Sequence, residues 1–430
     1  MIKVLTILGT RPEAIKLAPV LRALESEPGT FESTVVVTGQ HREMLDPMLE
    51  LFDVRPHHDL AIMTPRQTLS AITCATLGGL EPILEQERPD WVLIQGDTTS
   101  AMAAGIASFY HRVNIGHVEA GLRTFDRYSP FPEEINRRVA GVLADLHFAP
   151  TPWARANLMR EGVPSGNIHM TGNTVIDAMD HVMRKGFDPS RTQLAGLRVD
   201  GQVVVVTTHR NENFGPNMRS IATAIRRLAR MHPEAEFVYP LHLNPRARHA
   251  ALRHLQGLPN VSLMKPLEYR EMVWLLHHAD LVLTDSGGLQ EEAAAARTPV
   301  LVMRDTTERP EGIEAGIARL VGTDEREIVR VADRLLRDDD AYLEMRDSGC
   351  PYGDGQAARR IANTLAGRPA SLGLDDHIYE MPVPEHPLDA LLRHATADIP
   401  PQYAERVLAR ARDASPVRAG SRRAVLGAPG

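Results

Sequence analysis

The sequence predicts an α/β protein with two Rossmann-like, doubly wound domains that face each other across a cleft. Apolar, β-rich runs alternate with helical patterns, which is typical of a parallel sheet covered by helices. The same alternation restarts at Gln202, and 430 residues suffice for two hydrophobic cores. Since ligands bind such sheets at the carboxyl ends of the strands, two facing sheets predict a deep binding cleft.

Each predicted element is a short apolar run or a helical pattern. The candidate strands of the first domain are Val4–Leu8, Thr34–Thr38, Trp91–Gln95, Asn114–Val118 and Leu146–Ala149. Those of the second are Val203–Thr207, Phe237–Tyr239, Val261–Leu263, Leu281–Leu283, Val300–Met303 and Arg319–Val321. Helical patterns such as Ala14–Ser26 and Thr99–Tyr110 separate them. We therefore expect domains at 1–172 and 201–354, joined by a linker region at 173–200.

Composition argues against several classes of protein. A net charge of −7 and a pI near 6.2 speak against a general nucleic-acid binder. Cys74 and Cys350 form no CxxC pair, which suits a reducing compartment and argues against a disulfide frame or a zinc–thiolate site. The first residues, Ile2–Leu8, are typical of a strand rather than of the charged and apolar regions of a secretion signal, and no apolar run approaches the roughly 20 residues of a membrane helix. We expect a cytoplasmic protein that does not bind membranes.

One strand–turn–helix segment favours an anion site. After the run Leu281–Leu283 come Ser286, Gly287 and Gly288, followed by an alanine-rich helical pattern. Free backbone N–H groups and the helix dipole favour a bound diphosphate there, and the glycines allow close approach. Glu292, one turn further, could accept hydrogen bonds from ribose hydroxyls. The alternative is an ordinary corner whose glycines serve packing.

Charged side chains follow other strands of the first domain. Arg11 and Lys16 could bind a diphosphate, or be two solvated bases. Asp97 lies at a strand end, where capping the next helix would also explain it. Glu119 ends another strand, and a buried Glu is unusual without a job or a partner. Glu133 opens a helix, whose dipole alone could account for it.

Two polar segments follow strands of the second domain. His209 could carry a proton or contact a ligand, although a lone His usually does neither. The loop from Arg304 to Glu311 adds further charges at the same edge. Acids, bases and an anion pocket gathered at strand ends together favour a catalytic cleft.

Nine short motifs are spread along the chain from Met1 to about Ile361: GTRPEAIK, TGQHREML, GDTTS, GHVEAGLRT, PFPEEINRR, TGNTVID, TDSGGLQEE, VMRDTTERPE and PYGDGQAARRI. At family level they resemble those of the bacterial non-hydrolysing UDP-N-acetylglucosamine 2-epimerases. The resemblance implies a fold shared with a large class of glycosyltransferases, in which a last helix, here at 355–367, returns to the first domain. It also implies a homodimer, and leaves 368–430 as an atypical, partly disordered tail.

The implied reaction interconverts UDP-N-acetylglucosamine and UDP-N-acetylmannosamine for surface polysaccharides, without a metal or cofactor. UDP is eliminated and re-added through a 2-acetamidoglucal. The implied catalytic residues are Asp97, Glu119 and Glu133, with His209 near the diphosphate and sugar; which acid serves which face stays open. The implied nucleotide-sugar contacts also include Arg11, Lys16, Ser286, Gly287, Gly288, Glu292 and Arg309, with Leu267 and Met272 beside uracil.

The resemblance also implies a second, activating UDP-sugar site. Its matching positions are Gln40, Glu43, Arg66, Glu134, Arg210 and His242. Three positions depart from the family pattern: Met272 replaces a common aromatic residue, Asn211 a common basic one, and Glu43 a Gln of some members.

Other functions stay open at this point. The chain could be a 2-epimerase for a modified UDP-sugar, such as a diacetamido-uronate. A glycosyltransferase of the same fold would also contain the segment Ser286–Glu292, although the three acids speak against it. A sensor that binds the sugar nucleotide without catalysis is a third alternative.

Overall fold

The computed structural model describes residues 1–39, 42–64, 67–210, 213, 215–241 and 245–369. Its strands, numbered in chain order, are β1 Ile2–Leu8, β2 Phe31–Val37, β3 His58–Asp59, β4 Trp91–Gln95, β5 Asn114–Val118, β6 Leu146–Ala149, β7 Ile168–Met170, β8 Val203–Thr207, β9 Glu236–Pro240, β10 Val261–Met264, β11 Leu281–Thr284, β12 Val300–Val302 and β13 Ala318–Leu320.

The helices surround these strands. They are α1 Arg11–Glu25, α2 Arg42–Leu51, α3 Leu69–Glu87, α4 Thr99–Tyr110, α5 Glu133–Leu143, α6 Pro152–Arg160, α7 Thr174–Arg184, α8 Pro216–Met231, α9 Pro245–Leu255, α10 Tyr269–His277, α11 Gly287–Ala295, α12 Pro310–Ala315, α13 Glu325–Arg337, α14 Asp339–Arg346 and α15 Ala357–Leu365.

The predicted fold class is confirmed by two parallel sheets. Within the described residues, one sheet has the order β3-β2-β1-β4-β5-β6-β7 and the other β10-β9-β8-β11-β12-β13. In each sheet the strand order reverses next to the first strand. This reversal places a ligand crevice between β1 and β4 in the first sheet and between β8 and β11 in the second. Sequence reasoning missed β3 and β7, because these two- and three-residue strands form the two edges of the first sheet and include polar residues.

Burial on both faces explains why the central strands read as continuous apolar runs. Val203 to Val206 of β8 are each 0% exposed, packed between helices on the two sides of the second sheet. Burying each such side chain contributes roughly 1.5–3 kcal/mol. Rigid strands of this kind fix the loops at their carboxyl ends.

Local signals set the start of α1 earlier than predicted. Thr10 and Glu13 form a capping box, and Pro12 stands in the first turn. Glu13 accepts hydrogen bonds from the backbone N–H groups of Gly9 and Thr10, both at 2.6 Å. The helix therefore begins at Arg11 rather than at Ala14.

The chain passes between the two sheets at two neighbouring points. A Cβ built on Gly172 would lie 3.2 Å from Cα of Gly353, so the two backbones pack directly together. The helix implied at 355–367 is α15, which packs against α1. Asp177 accepts hydrogen bonds from the N–H groups of Ala357 and Ala358, at 3.2 and 3.0 Å. The predicted domain limits stay a prediction.

Of the described helices, none is both long and apolar enough to cross a membrane. The predicted tail lies outside the described residues from position 370 onwards.

Candidate active site

Glu119 lies directly after β5 and is almost fully buried, with 8% of its surface exposed. Its φ of 63° is in the left-handed region, which a residue other than glycine seldom adopts and which is frequent at functional sites. The carboxylate forms an ion pair with Lys16 of α1 and accepts a hydrogen bond from Gln95 of β4. It also accepts one from Nδ2 of Asn173, at 3.2 Å.

These contacts fix the charge of Glu119. Burial alone would raise its pKa, but the positive charges of Lys16 and Arg309 outweigh burial and lower the pKa. For Lys16, burial opposes the charged form, while Glu119 and Glu291 overcome it and raise the pKa. The carboxylate and the ammonium are thus both charged in a site nearly closed to water.

Glu291 is a site residue that the sequence interpretation missed. It is 1% exposed and accepts a hydrogen bond from Nε of Arg309 at 2.8 Å. Its other oxygen accepts one from Asn173 at 3.1 Å and lies 3.8 Å from Nζ of Lys16. The spacing offered a signal, because residues four apart share a helix face and Glu291 follows Gly287 by four.

Glu308 gathers three guanidinium groups beside the same cluster. Its carboxylate lies 2.8 Å from Nη2 of Arg210, 2.6 Å from Nη1 of Arg304 and 3.5 Å from Nη1 of Arg309. Burial would raise the pKa of Glu308, but the three arginines lower it to about 2. This edge of the second sheet is therefore rich in fixed positive charge.

The predicted anion segment forms the N-terminus of α11. Ser286 is the N-cap and accepts a hydrogen bond from the N–H of Leu289 at 3.5 Å. A Cβ at Gly287 would come within 3.2 Å of Arg309 and Glu308, whereas one at Gly288 would meet no described heavy atom within 4 Å. The helix end and Arg309 thus face the same space, which suits an anion.

Glu292 and Arg11 lie at another side of this helix end. Burial raises the pKa of Glu292 to about 7, against the opposing charge of Arg11. Arg11 is exposed at the start of α1. Leu267 is buried in the core and Met272 packs against it from a partly buried position.

Asp97 does not cap α4, as its position had suggested. The cap is Thr98, whose side chain accepts a hydrogen bond from the N–H of Ala101 at 3.0 Å. The carboxylate of Asp97 instead forms an ion pair with Arg137 of α5 and is 26% exposed. The interpretation of Asp97 as an N-cap is wrong, because the one-residue difference turns its side chain toward α5.

Glu133 is the first residue of α5, the helix whose Arg137 forms the ion pair with Asp97. Its Oε2 atom is buried and has no hydrogen-bond partner among the described residues. A buried carboxylate oxygen without a partner is rare in folded proteins and suits a ligand or a water.

His209 follows β8 and contacts the fully buried Asp285. Its backbone N–H donates to Oδ1 of Asp285 at 3.0 Å, and its ring Nδ1 lies 3.3 Å from the same oxygen. Asp285 also accepts a hydrogen bond from the N–H of Arg210, at 3.1 Å. The buried carboxylate thus fixes the loop that carries both residues.

The predicted second ligand site is only partly described. Glu134 is fully buried and accepts hydrogen bonds from the N–H groups of Thr124 and Phe125, at 3.0 and 3.1 Å. Glu43 stands on α2 without a described side chain. Three further positions of this site lie outside the described residues: Gln40, Arg66 and His242. The same holds for Asn211, which was named as a departure from the family pattern.

Contacts join the predicted site residues into two groups in the described structure. Lys16, Glu119 and Arg309 join through Glu291 and Asn173 into one charged network that links both sheets. Asp97 and Glu133 are connected by α5. Among the described residues, no group of three or more His, Cys, Asp or Glu could hold a metal ion.

The sequence is similar to one known protein family over most of its length. The sequence model of one family, described as UDP-N-acetylglucosamine 2-epimerase, matches residues 22–366. A Yersinia pestis protein of that description is 50% identical over 378 residues, or 86% of this chain and 100% of its own length. An Escherichia coli K12 protein of the same description is 51% identical with the same coverage.

Solved structures with the same description are also similar to this chain. A crystal structure of a putative UDP-N-acetylglucosamine 2-epimerase from Listeria monocytogenes has a TM-score of 0.79 and 47% identity, covering 85% of this chain and 95% of that one. The Neisseria meningitidis UDP-GlcNAc 2-epimerase bound to UDP-GlcNAc has a TM-score of 0.79 and 43% identity, covering 85% and 100%.

Proposed function

The chain belongs to the UDP-N-acetylglucosamine 2-epimerase family, and from this premise we propose that it interconverts UDP-N-acetylglucosamine and UDP-N-acetylmannosamine. The observation that carries the proposal is the ionised, buried Glu119 beside Lys16 and the arginine-rich end of the second sheet. A base and a diphosphate-binding region are what inversion at C2 of a UDP-sugar requires.

The chemistry follows from the weak acidity of the proton at C2. We propose elimination: a carboxylate removes the C2 proton, the electron pair forms the C1–C2 double bond, and the C1–oxygen bond breaks to release UDP. In the return step a UDP oxygen attacks C1, and an acid protonates C2 from the opposite face. The balance of atoms and electrons needs no oxidant or reductant.

Charge placement supports the roles of the residues. Arg309 and Lys16 carry positive charge that would stabilise the departing diphosphate, together with the N-terminus of α11. Glu119 is a base in the ionised state, while Asp97 and Glu133 are the other candidate acids. His209, fixed by Asp285, is proposed beside the diphosphate.

Incubation with UDP-N-acetylglucosamine in deuterated water tests the function. An epimerase incorporates deuterium at C2 and forms UDP-N-acetylmannosamine, both visible by NMR and mass spectrometry. A chain that incorporates none but transfers the sugar to an acceptor would be a glycosyltransferase. Turnover only of a diacetamido-uronate analogue would make it an epimerase for modified UDP-sugars.

We also propose activation by a second UDP-N-acetylglucosamine, as the family resemblance implies. A ligand that touches both sheets can favour a closed cleft only by its differential affinity for the two states. Starting from pure UDP-N-acetylmannosamine, a lag that a trace of UDP-N-acetylglucosamine abolishes is the expected result. Linear progress from the first seconds would contradict a second site.

A cytoplasmic homodimer that supplies mannosaminyl units for surface polysaccharides is part of the same proposal. Three large apolar side chains on the neighbouring helices α4 and α5 support an interface: Phe109, Tyr110 and Val142 are 57, 73 and 85% exposed. Sedimentation of the chain and of Val142→Asp measures the state; a monomer in both would contradict the dimer.

A further inference from the structure

Asn173 lies where the chain first leaves the first sheet, and it is 2% exposed. Its backbone N–H donates to the carbonyl of Tyr352 at 2.7 Å, beside the close contact of Gly172 with Gly353. Its Oδ1 accepts a hydrogen bond from the N–H of Val175 at 3.0 Å, which caps α7. Both the backbone and the side chain are therefore held at the crossing point.

The amide group of Asn173 donates to two carboxylates at once. Nδ2 lies 3.2 Å from Oε1 of Glu119 and 3.1 Å from Oε2 of Glu291. Ionised carboxylates can only accept, and the N–H of Val175 can only donate, so chemistry alone fixes the orientation of the amide. One side chain thus bonds the proposed base beside the first sheet to a carboxylate of the second.

We infer that Asn173 is a positioning residue for the proposed epimerisation, holding Glu119 in its ionised, reactive orientation and coupling it to Glu291 across the cleft. The inference rests on the proposed function and adds a residue to its machinery. A hydrogen bond to the charged form of a carboxyl group favours that form. Without the amide, Glu119 would keep a proton more readily and would also lose one of its fixed contacts.

The groups around Glu119 make the direction of the effect clear. Lys16 from α1 and Arg309 from the segment before α12 favour the ionised form, and Glu291 from α11 disfavours it. His117, on β5, is neutral, because burial lowers its pKa to about 3. The amide of Asn173 donates to the two like-charged carboxylates, Glu119 and Glu291. Its loss should therefore raise the pKa of Glu119, as stronger repulsion between the two carboxylates would.

Two substitutions distinguish positioning from plain stability. Asn173→Ser keeps a good helix cap but removes both bonds to carboxylates. Asn173→Asp also keeps the cap and places a third carboxyl group between Glu119 and Glu291. Asn260→Ala is the control, because within the described part of the chain the buried amide of Asn260 donates only to backbone carbonyls, those of Ala229, His232 and Ala235.

The experiment is the pH profile of kcat/KM in both directions, for the unmodified chain and the three variants. In the direction where Glu119 is the base, we expect the acid limb to move up by about one pH unit in Asn173→Ser and further in Asn173→Asp. The control should lose stability with an unchanged profile. Equal rate losses at every pH in both Asn173 variants would overturn the inference.

A second measurement does not depend on activity. Carboxyl-carbon NMR of glutamate-labelled protein, with the Glu119 signal assigned through Glu119→Gln, gives the pKa of Glu119 directly. A higher pKa in both Asn173 variants supports the inference, and an unchanged pKa refutes it. An unmodified chain without deuterium incorporation at C2 would refute the proposed function instead, so the two failures are distinguishable.

Discussion

Gly288→Ala should change stability and ligand affinity in opposite directions. Gly288 is exposed in the first turn of α11, and an added Cβ would meet no described heavy atom within 4 Å. Replacing a helical glycine by alanine stabilises the folded state by up to about 1 kcal/mol. If the diphosphate of UDP lies against this helix end, the same methyl group would displace it from backbone N–H groups.

The expected loss of affinity follows from one charge-assisted hydrogen bond. Such a bond contributes about 1.5–3 kcal/mol, which corresponds to roughly a 10- to 100-fold higher Kd for UDP. Gly78→Ala is a matched control, because Gly78 is an exposed glycine inside α3 whose added Cβ also meets no described heavy atom within 4 Å. Gly287→Ala is less informative, since its methyl group would crowd Arg309 and Glu308.

The proteins to compare are the unmodified chain, Gly288→Ala and Gly78→Ala. Calorimetric titration measures their Kd for UDP, and urea unfolding measures their stability. We expect both variants to unfold at slightly higher urea concentration, and only Gly288→Ala to bind UDP more weakly. A Gly288→Ala chain that binds UDP as tightly as Gly78→Ala would refute the placement of the diphosphate at the N-terminus of α11.

Three further predictions concern the acids, pH and the end of the chain. Replacing any one of the three candidate acids by its neutral amide should lower kcat in the deuterium assay by about 100- to 10,000-fold, while thermal unfolding stays cooperative. Near-normal rates in all three variants would contradict the mechanism. The variants are Asp97→Asn, Glu119→Gln and Glu133→Gln. Because the pKa of Glu292 is raised to about 7 in the folded state, its contribution to the free energy of unfolding is fully present below its ordinary value of 4.5 and is lost as pH rises through 7. Urea unfolding measured from pH 4.5 to 8 should show a smaller loss of unfolding free energy near pH 7 in Glu292→Gln than in the unmodified chain. The dependence of this free energy on pH near pH 6 should persist in the variant, because the pKa values of Glu13 and Asp177 are about 6. A pH dependence identical to that of the unmodified chain would contradict the raised pKa of Glu292. Truncation after Pro369 keeps α15 and the 2.8 Å ion pair of Arg368 with Glu27, so activity and melting temperature should stay nearly unchanged; aggregation would show that the tail packs on the core.

Local patterns in the sequence determined most of the fold. Buried parallel strands such as β8 read as uninterrupted apolar runs, and the capping residues Thr10 and Ser286 stand directly before their helices. The edge strand β3 left no such pattern, because two residues paired at one side bury too little apolar surface to select an apolar sequence.

The sequence by itself also determined which strand ends carry charged residues, since a parallel sheet brings all carboxyl ends to one edge. Only the tertiary structure decided which charges meet. Asp97 pairs with Arg137 rather than capping its own helix, and Glu291, rather than its neighbour Glu292, joins Lys16 to Arg309. The physical reason is that neighbouring helix residues differ by about 100° in direction, so the packing of two distant sheets selects which side chain enters the cleft.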